Sequence, residues 1–209
     1  IRSWGRPSST DTSGLLYAAP FVTSGVIVYV GPTGADANSG LIKELPKLTW
    51  ASAIAALTTL NGDTLVLMSG FSEDFSNSQV SSTLAGIRIV GDGIGTNKAT
   101  MTQANRIFSG AYVRIYNVKF AGGVTTSQML RLSGQSSFVE DCDFTMNANS
   151  DGGIGLSLTG AGSGARNCTF TATGVRPASA VVMSGAVDGR WLSGCTVAGG
   201  SYGWSGNAI

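Results

Sequence analysis

The 209-residue chain carries 13 Lys and Arg against 12 Asp and Glu, a formal net charge of +1, and 43% of its residues are hydrophobic. This composition allows a sizeable core and excludes a disordered chain, and without a strong positive field or a long apolar span we expect no nucleic-acid or membrane partner. The sequence has no His and three Cys without a CxxC pair, which excludes His-dependent nucleophiles, and we expect no metal or cofactor.

The first segment, residues 1–24, mixes aromatic and apolar side chains with Ser, Thr, Gly and two prolines, and it follows neither a helical nor an alternating period. A segment of this kind cannot bury its own apolar side chains. It is either a frayed tail or an extended N-terminal arm that docks on a neighbouring subunit. In the second interpretation, the partner-binding residues of the arm are Arg2, Trp4, Arg6, Leu16, Tyr17 and Phe21.

Residues 25–209 are expected to form one domain, which opens with a strand at residues 26–30. The Gly/Asp/Asn loop at residues 34–40 lacks the spacing of a calcium-binding loop and predicts a turn. Residues 49–60 predict a helix, since Thr49 is a suitable N-cap and apolar residues recur on one face. A single short helix before a long β-rich chain favours a cap over the end of a core.

A repeat of about 25 residues fills the remainder of the chain. Four segments end in a hydroxyl residue followed by Gly, at Gly110, Gly134, Gly160 and Gly185, so the intervals are 24 (110 to 134), 26 (134 to 160) and 25 (160 to 185) residues. A second series of four-residue motifs runs in phase with the first and begins at Asn117, Asp141, Asn167 and Gly194. Repeats of this length without a helical pattern predict an all-β fold, a single-stranded parallel β-helix in which each turn of the coil, or rung, stacks on the next.

Alternation along the second series predicts which side chains enter the core. One inward column consists of Val118, Cys142, Cys168 and Cys195. The next inward column, two positions further on, consists of Phe120, Phe144, Phe170 and Val197. The Asn, Asp or Gly that opens each motif suits a left-handed turn. We interpret the cysteines as unpaired apolar fillers of the core.

The opening of the domain resembles the pectin-lyase-like superfamily of right-handed parallel β-helix proteins. The resemblance covers about residues 25–200 and depends on four features in order: the first strand, the Gly/Asp/Asn loop, the Ala-rich helix after Pro46, and the run Gly62-Asp63-Thr64 before a strand. It implies that the helix caps the first rung. This architecture includes lyases, hydrolases, phage tailspikes and structural virion proteins, so the resemblance implies a fold and leaves the activity open.

The densest acidic group consists of Glu140, Asp141 and Asp143. In the repeat register Glu140 lies one rung before Arg166, which predicts a surface ion pair rather than a catalytic acid. Polygalacturonase-like members of the superfamily carry adjacent aspartates and a Gly-His-Gly motif, and this chain has neither. The Arg motif of the pectate-lyase-like members is matched only in part, by Arg176-Pro177. We assign no catalytic residue.

These observations favour a non-enzymatic structural protein of a tailed-bacteriophage virion. The expected role is a capsid decoration, or cement, protein on the capsid exterior, a homotrimer whose arms clamp neighbouring subunits and contact the major capsid protein or other virion proteins. The alternative is a tailspike or tail-fibre module that binds or cleaves host polysaccharide.

A carbohydrate-binding module would differ in its surface aromatics. It predicts side chains aligned on one flank, with the candidates Tyr112, Tyr116, Trp191, Tyr202 and Trp204. For Trp191 and Trp204 we favour a different position, as a cover over the last rung.

Overall fold

A computed structural model gives the structure of this chain, and it describes residues 25–74, 80–102, 106–122, 128–147, 153–173, 179–185, 189–198 and 205–206. The arm predicted at residues 1–24 therefore lies outside the described residues. The described part is almost entirely β, which confirms the predicted fold class.

The strands of the described residues follow in chain order. They are β1 (Ile27–Val30), β2 (Thr64–Leu67), β3 (Ser72–Asp74), β4 (Val80–Ser82), β5 (Arg88–Gly91), β6 (Thr100–Thr102), β7 (Arg106–Phe108), β8 (Arg114–Tyr116), β9 (Lys119–Gly122), β10 (Gln128–Leu132), β11 (Phe138–Glu140), β12 (Asp143–Asn147), β13 (Ile154–Leu158), β14 (Gly164–Arg166), β15 (Thr169–Thr173), β16 (Ser179–Met183), β17 (Trp191–Ser193), β18 (Thr196–Ala198) and β19 (Ser205–Gly206).

The strands form three parallel sheets, and each complete rung contributes one strand to each sheet. Sheet 1 has the order β1-β2-β5-β8-β11-β14-β17, sheet 2 the order β3-β6-β9-β12-β15-β18, and sheet 3 the order β4-β7-β10-β13-β16-β19. Every strand thus pairs with its equivalent in the next rung, as in the pairs β8·β11 and β9·β12. This topology confirms the parallel β-helix that the repeat predicts.

Equivalent side chains of successive rungs pack in columns inside the coil. Phe120, Phe144 and Phe170 are register partners, and their buried rings stack with centroids 4.9 and 4.7 Å apart and interplanar angles of 12° and 11°. The predicted aromatic column is confirmed, and each ring covers the next in place of solvent.

The corner between sheet 1 and sheet 2 requires left-handed backbone, as the sequence predicts. The φ angles of Asn117, Asp141, Asn167 and Gly194 are 55°, 54°, 52° and 62°. The backbone amides at this corner also connect the rungs. The Asn117 backbone amide donates to Glu140 O at 3.0 Å, and the Asn167 backbone amide donates to Ser193 O at 2.8 Å. Asn and Asp are the non-glycine residues that adopt this conformation at lowest cost, which explains the residue types of the second series.

The glycines of the first series lie where the backbones of two rungs approach closely. A Cβ atom on Gly134 would lie 1.9 Å from Gly110 O, and a Cβ atom on Gly160 would lie 2.2 Å from Gly134 O. Gly110 stands in the same relation to Leu84 O, at 2.0 Å. No side chain fits at these distances, and the Ser-Gly or Thr-Gly repeat is therefore a packing requirement of the coil.

The helix α1 spans Trp50–Ala55, and the Thr49 hydroxyl accepts a hydrogen bond from the Ser52 amide at 3.2 Å, as expected of an N-cap. The predicted end near residue 60 is wrong. The Thr58 amide donates to Asp63 Oδ2 at 2.6 Å instead of continuing the helix. Because a carboxylate accepts this amide more strongly than a backbone carbonyl does, the helix stops early.

Two charged side chains, Glu73 and Arg106, lie at the N-terminal end of the apolar core, and the repeat motifs do not predict them. Glu73 is the register partner of Met101 and so begins the column that continues with the phenylalanines. Arg106 is fully buried and lies between Val80 and Leu130 in a column of sheet 3. Burial lowers the pKa of Arg106 to about 9, against the effect of the Glu73 and Asp74 carboxylates. Arg106 thus stays protonated at neutral pH and faces acidic groups beneath α1.

The cysteines of the described residues are free thiols, two of them buried and Cys195 partly buried. Hydrogen bonding with the Cys142 thiol, together with burial, raises the pKa of Cys168. Hydrogen bonding with Cys168, together with burial, raises the pKa of Cys195. A thiol with a raised pKa is a poor nucleophile, so the interpretation as core fillers agrees with the structure.

Candidate functional site

The outer face of sheet 1 carries several aromatic and charged side chains. Two columns run along it from rung to rung. The first column contains Arg88, Arg114, Phe138, Gly164 and Trp191. The second column contains Val90, Tyr116, Glu140, Arg166 and Ser193. We call these two columns the sheet 1 face.

Three aromatic side chains form a connected row on the sheet 1 face. The rings of Tyr116 and Phe138 meet edge to face, with centroids 5.8 Å apart and an interplanar angle of 86°. Phe138 and Trp191 are 6.3 Å apart although one rung separates them. That rung contributes Gly164, where a Cβ atom would lie 2.4 Å from the Trp191 ring. The missing side chain therefore allows the indole to lie against the sheet and reach Phe138.

Cations flank this aromatic row. The Arg114 guanidinium carbon lies 5.1 Å from the centroid of the Phe138 ring, within cation–π range. Burial lowers the pKa of Arg88, and the positive charge of Arg114 one rung away adds to this lowering. Arg88 and Arg114 are register partners on neighbouring rungs. Burial also raises the pKa of Tyr116, so its phenol remains a hydrogen-bond donor at neutral pH.

The predicted Glu140–Arg166 pair is confirmed. Arg166 Nε donates to Glu140 Oε1 at 2.9 Å, and the Glu140 side chain is 14% exposed while Arg166 is 52% exposed. The carboxylate is therefore neutralised by a cation from the next rung.

The other acidic residues of the predicted group lie at the corner beyond sheet 1. Lys98 Nζ donates to Asp143 Oδ2 at 2.9 Å and to the Asp141 carbonyl at 2.7 Å. The Lys98 side chain is only 9% exposed. Its two partners, Asp141 and Asp143, lie 43 and 45 residues later in the chain. Lys98 therefore connects different rungs of the coil. This contact could not be predicted from the sequence, because Lys98 lies outside the repeat motifs.

Three carboxylates near the N-terminal end accept hydrogen bonds from backbone amides. Asp63 accepts from Val26 and Thr58, Asp36 accepts from Leu48 and Thr49, and Glu73 accepts from Trp50 at 2.6 Å. The hydrogen bond from the Thr49 amide lowers the pKa of Asp36, whereas burial raises the pKa of Glu73. These groups fix α1 and its flanking loops to the first rung.

Within the described part of the chain, no three His, Cys, Asp or Glu side chains form a group suited to a metal ion. The helices of that part are also all too short or too polar to cross a membrane.

Two solved lyase structures share the fold of this chain. A pectate lyase, Pel9A, superposes with a TM-score of 0.62 over 83% of this chain and 48% of its own length, at 20% identity. A rhamnogalacturonan lyase superposes with a TM-score of 0.52 over 88% of this chain and 63% of its own length, at 12% identity. The fold is that of the pectin-lyase-like parallel β-helices.

This likeness confirms the resemblance seen in the sequence and is a likeness of fold alone. The chain spans less than two thirds of the length of both lyases. No protein-family model matches the chain. No curated protein matches it at a significant level either.

The structure brings together some of the sequence-predicted site residues and leaves others undescribed. Tyr116 and Trp191 lie on the sheet 1 face, and Tyr112 lies in the turn before it, where its hydroxyl accepts from Gln135 Nε2 at 3.1 Å. The favoured position of Trp191 as an end cover is wrong, because its ring packs on the outside against Gly164. The following candidates lie outside the described residues: Arg2, Trp4, Arg6, Leu16, Tyr17, Phe21, Arg176, Pro177, Tyr202 and Trp204.

Phe138 is central to the aromatic row but is absent from the candidates predicted from the sequence. Its signal was nevertheless in the repeat, because Arg114 lies 24 positions earlier and is its register partner. Extending the register from the marker motifs to their neighbours would have found the whole column.

Proposed function

We propose that this chain is a β-helical module that binds acidic polysaccharide along the sheet 1 face. The row of Tyr116, Phe138 and Trp191 beside Arg114 is the observation that carries the proposal. Aromatic rings stack on the apolar faces of sugars, and guanidinium groups pair with sugar carboxylates. This proposal develops the alternative that the sequence left open, a module that recognises host polysaccharide.

The spacing of the coil favours an extended polymer as the ligand. Rungs repeat at about 4.8 Å, a distance comparable to the length of one sugar residue. Phe138 and Trp191, two rungs apart, would therefore contact different sugars of one chain. The fold likeness to a pectate lyase and a rhamnogalacturonan lyase supports the same ligand class.

The described contacts favour binding of the polysaccharide without its cleavage. The cation Lys98 is held by Asp143, and Glu140 is held by Arg166. A lyase needs a free base near its substrate, and a hydrolase needs two carboxylates across a groove. On the sheet 1 face the described carboxylate instead neutralises a neighbouring cation.

The test is binding to immobilised polygalacturonate, with dextran as a neutral comparison. We expect retention on polygalacturonate that decreases with salt, because Arg88 and Arg114 contribute charge. Trp191→Ala should weaken binding about tenfold or more, as loss of an exposed aromatic anchor does at other interfaces.

Thr196→Ala is the matched control, since Thr196 lies in β18 of sheet 2 and belongs to the same rung as Trp191. It should leave binding unchanged. Equal affinity of the Trp191→Ala variant and the unaltered chain would refute the proposal. Release of unsaturated sugars from polygalacturonate would show that the chain cleaves the polymer as a lyase and does not only bind it.

The virion setting is a separate proposal. A capsid decoration protein on the particle exterior, with residues 1–24 clamping neighbouring subunits of a homotrimer, stays a prediction from the sequence. The cross-rung contacts at Asn117, Asn167 and Lys98 favour such a structural use, since they stiffen the coil.

A further inference from the structure

The N-terminal end of the β-helix exposes four apolar side chains within eight residues. Leu41, Ile42, Leu45 and Leu48 are 53, 49, 48 and 45% exposed. A single exposed leucine is ordinary, whereas a group of them on one short segment is typical of an interaction surface. We call these four residues the end patch.

Backbone hydrogen bonds hold the segment that carries the end patch in place. The Gly40 amide donates to Leu45 O at 3.1 Å, which closes the loop on itself. The Tyr29 amide donates to Gly40 O at 2.7 Å, and the Lys47 amide donates to Tyr29 O at 2.8 Å. The loop therefore covers the outer edge of β1, and its apolar side chains point away from the core that they could otherwise join.

The two charged residues beside the end patch are self-complementary. Lys43 and Glu44 lie between Ile42 and Leu45, and both are exposed. Lys43 contacts Asp92 at 3.5 Å but remains 58% exposed. When two copies of a surface meet across a two-fold axis, residue i of one contacts residue j of the other and the reverse. Lys43 of each copy can then face Glu44 of the other, with apolar residues around both pairs.

We propose that the end patch binds the end patch of a second copy of this chain, so that two β-helices join end to end. The contact is small compared with the roughly 800 Å² per partner of a stable complex. It therefore gives a weak, concentration-dependent association, and it leaves the sheet 1 face free. The proposal does not depend on the polysaccharide-binding function.

Sedimentation of the full chain across a concentration series tests this association. The mass should double with rising concentration. The double substitution Ile42→Ser with Leu45→Ser should raise the dissociation constant of the dimer about tenfold or more. The matched control is Ile94→Ser, because Ile94 is 62% exposed and lies outside the end patch. This control should associate as the unaltered chain does.

Charge exchange tests the two-fold geometry itself. Lys43→Glu alone puts two acidic residues opposite two acidic residues, and Glu44→Lys alone puts two basic residues opposite two basic residues. Each variant should remain monomeric by itself. A mixture of the two variants, one of them fluorescently labelled, should form a heterodimer, because every facing pair is then of opposite sign.

Several results would overturn the proposal. Constant mass of the unaltered chain would do so, as would equal weakening by Ile94→Ser or a mixture that fails to associate. If removal of residues 1–24 creates an association that the full chain lacks, the same chain's N-terminal segment covers the end patch, and the proposal is wrong.

Discussion

At the scale of single residues, the coil depends on positions where only one or two residue types fit. Gly134 is one example, because a carbonyl oxygen of the previous rung occupies the place of its side chain. Asn167 is another, with a φ of 52° that most residues adopt only with strain. Both constraints left a mark in the sequence, and this is why the repeat could be read without a structure.

Gly134→Ala should destabilise the protein by at least about 2 kcal/mol, since the new methyl group forces two backbones apart. Chemical denaturation monitored by circular dichroism measures the loss. Gln135→Ala is the control, because Gln135 is exposed in the same turn, and it should change the free energy of unfolding by no more than about 0.5 kcal/mol. Unchanged stability of Gly134→Ala would contradict the close approach of the two rungs.

At the scale of elements, the sequence predicted the later rungs better than the first ones. The strands from β7 onward follow the markers, so their register could be read from Gly110 and its equivalents. The end of α1 could not be predicted, because it depends on a hydrogen bond from Thr58 to Asp63, five positions away in sequence. The charged side chains at this end of the core could not be predicted for a similar reason, since Glu73 and Arg106 belong to no repeat motif.

The same end of the core predicts a pH effect. Burial raises the pKa of Glu73 in the folded state above its ordinary value of 4.5. Between the two values the folded state holds more protons than the unfolded state, so this group's contribution to stability is present at low pH and is lost as pH rises.

Comparison of the unaltered chain with Glu73→Gln isolates this effect. The difference in their free energies of unfolding, measured from pH 4 upward, should shift against the unaltered chain as pH rises, because only its Glu73 must become charged. A pH-independent difference, or a shift in the opposite direction, would show that burial does not dominate at Glu73. The other carboxylates also make the free energy of unfolding depend on pH, but their contribution is the same in both proteins and cancels in the comparison.

At the scale of the whole molecule, packing restricts the interior of the coil more than its outer face. The interior columns and corner turns hold the rungs together. The repeat revealed the interior, where packing restricts residue types. It revealed less of the sheet 1 face, where Arg114, Phe138 and Trp191 share a column but not a residue type.

Hydroxyl-radical footprinting of the full chain, with and without polygalacturonate, tests the sheet 1 face most directly. If the sheet 1 face binds the polymer, Trp191, Phe138 and Tyr116 are protected from oxidation, while the exposed side chains of Ile94 and Leu60 are oxidised to the same extent in both samples. Undiminished oxidation of Trp191 in the presence of the polymer, or protection confined to other faces of the coil, would contradict this binding.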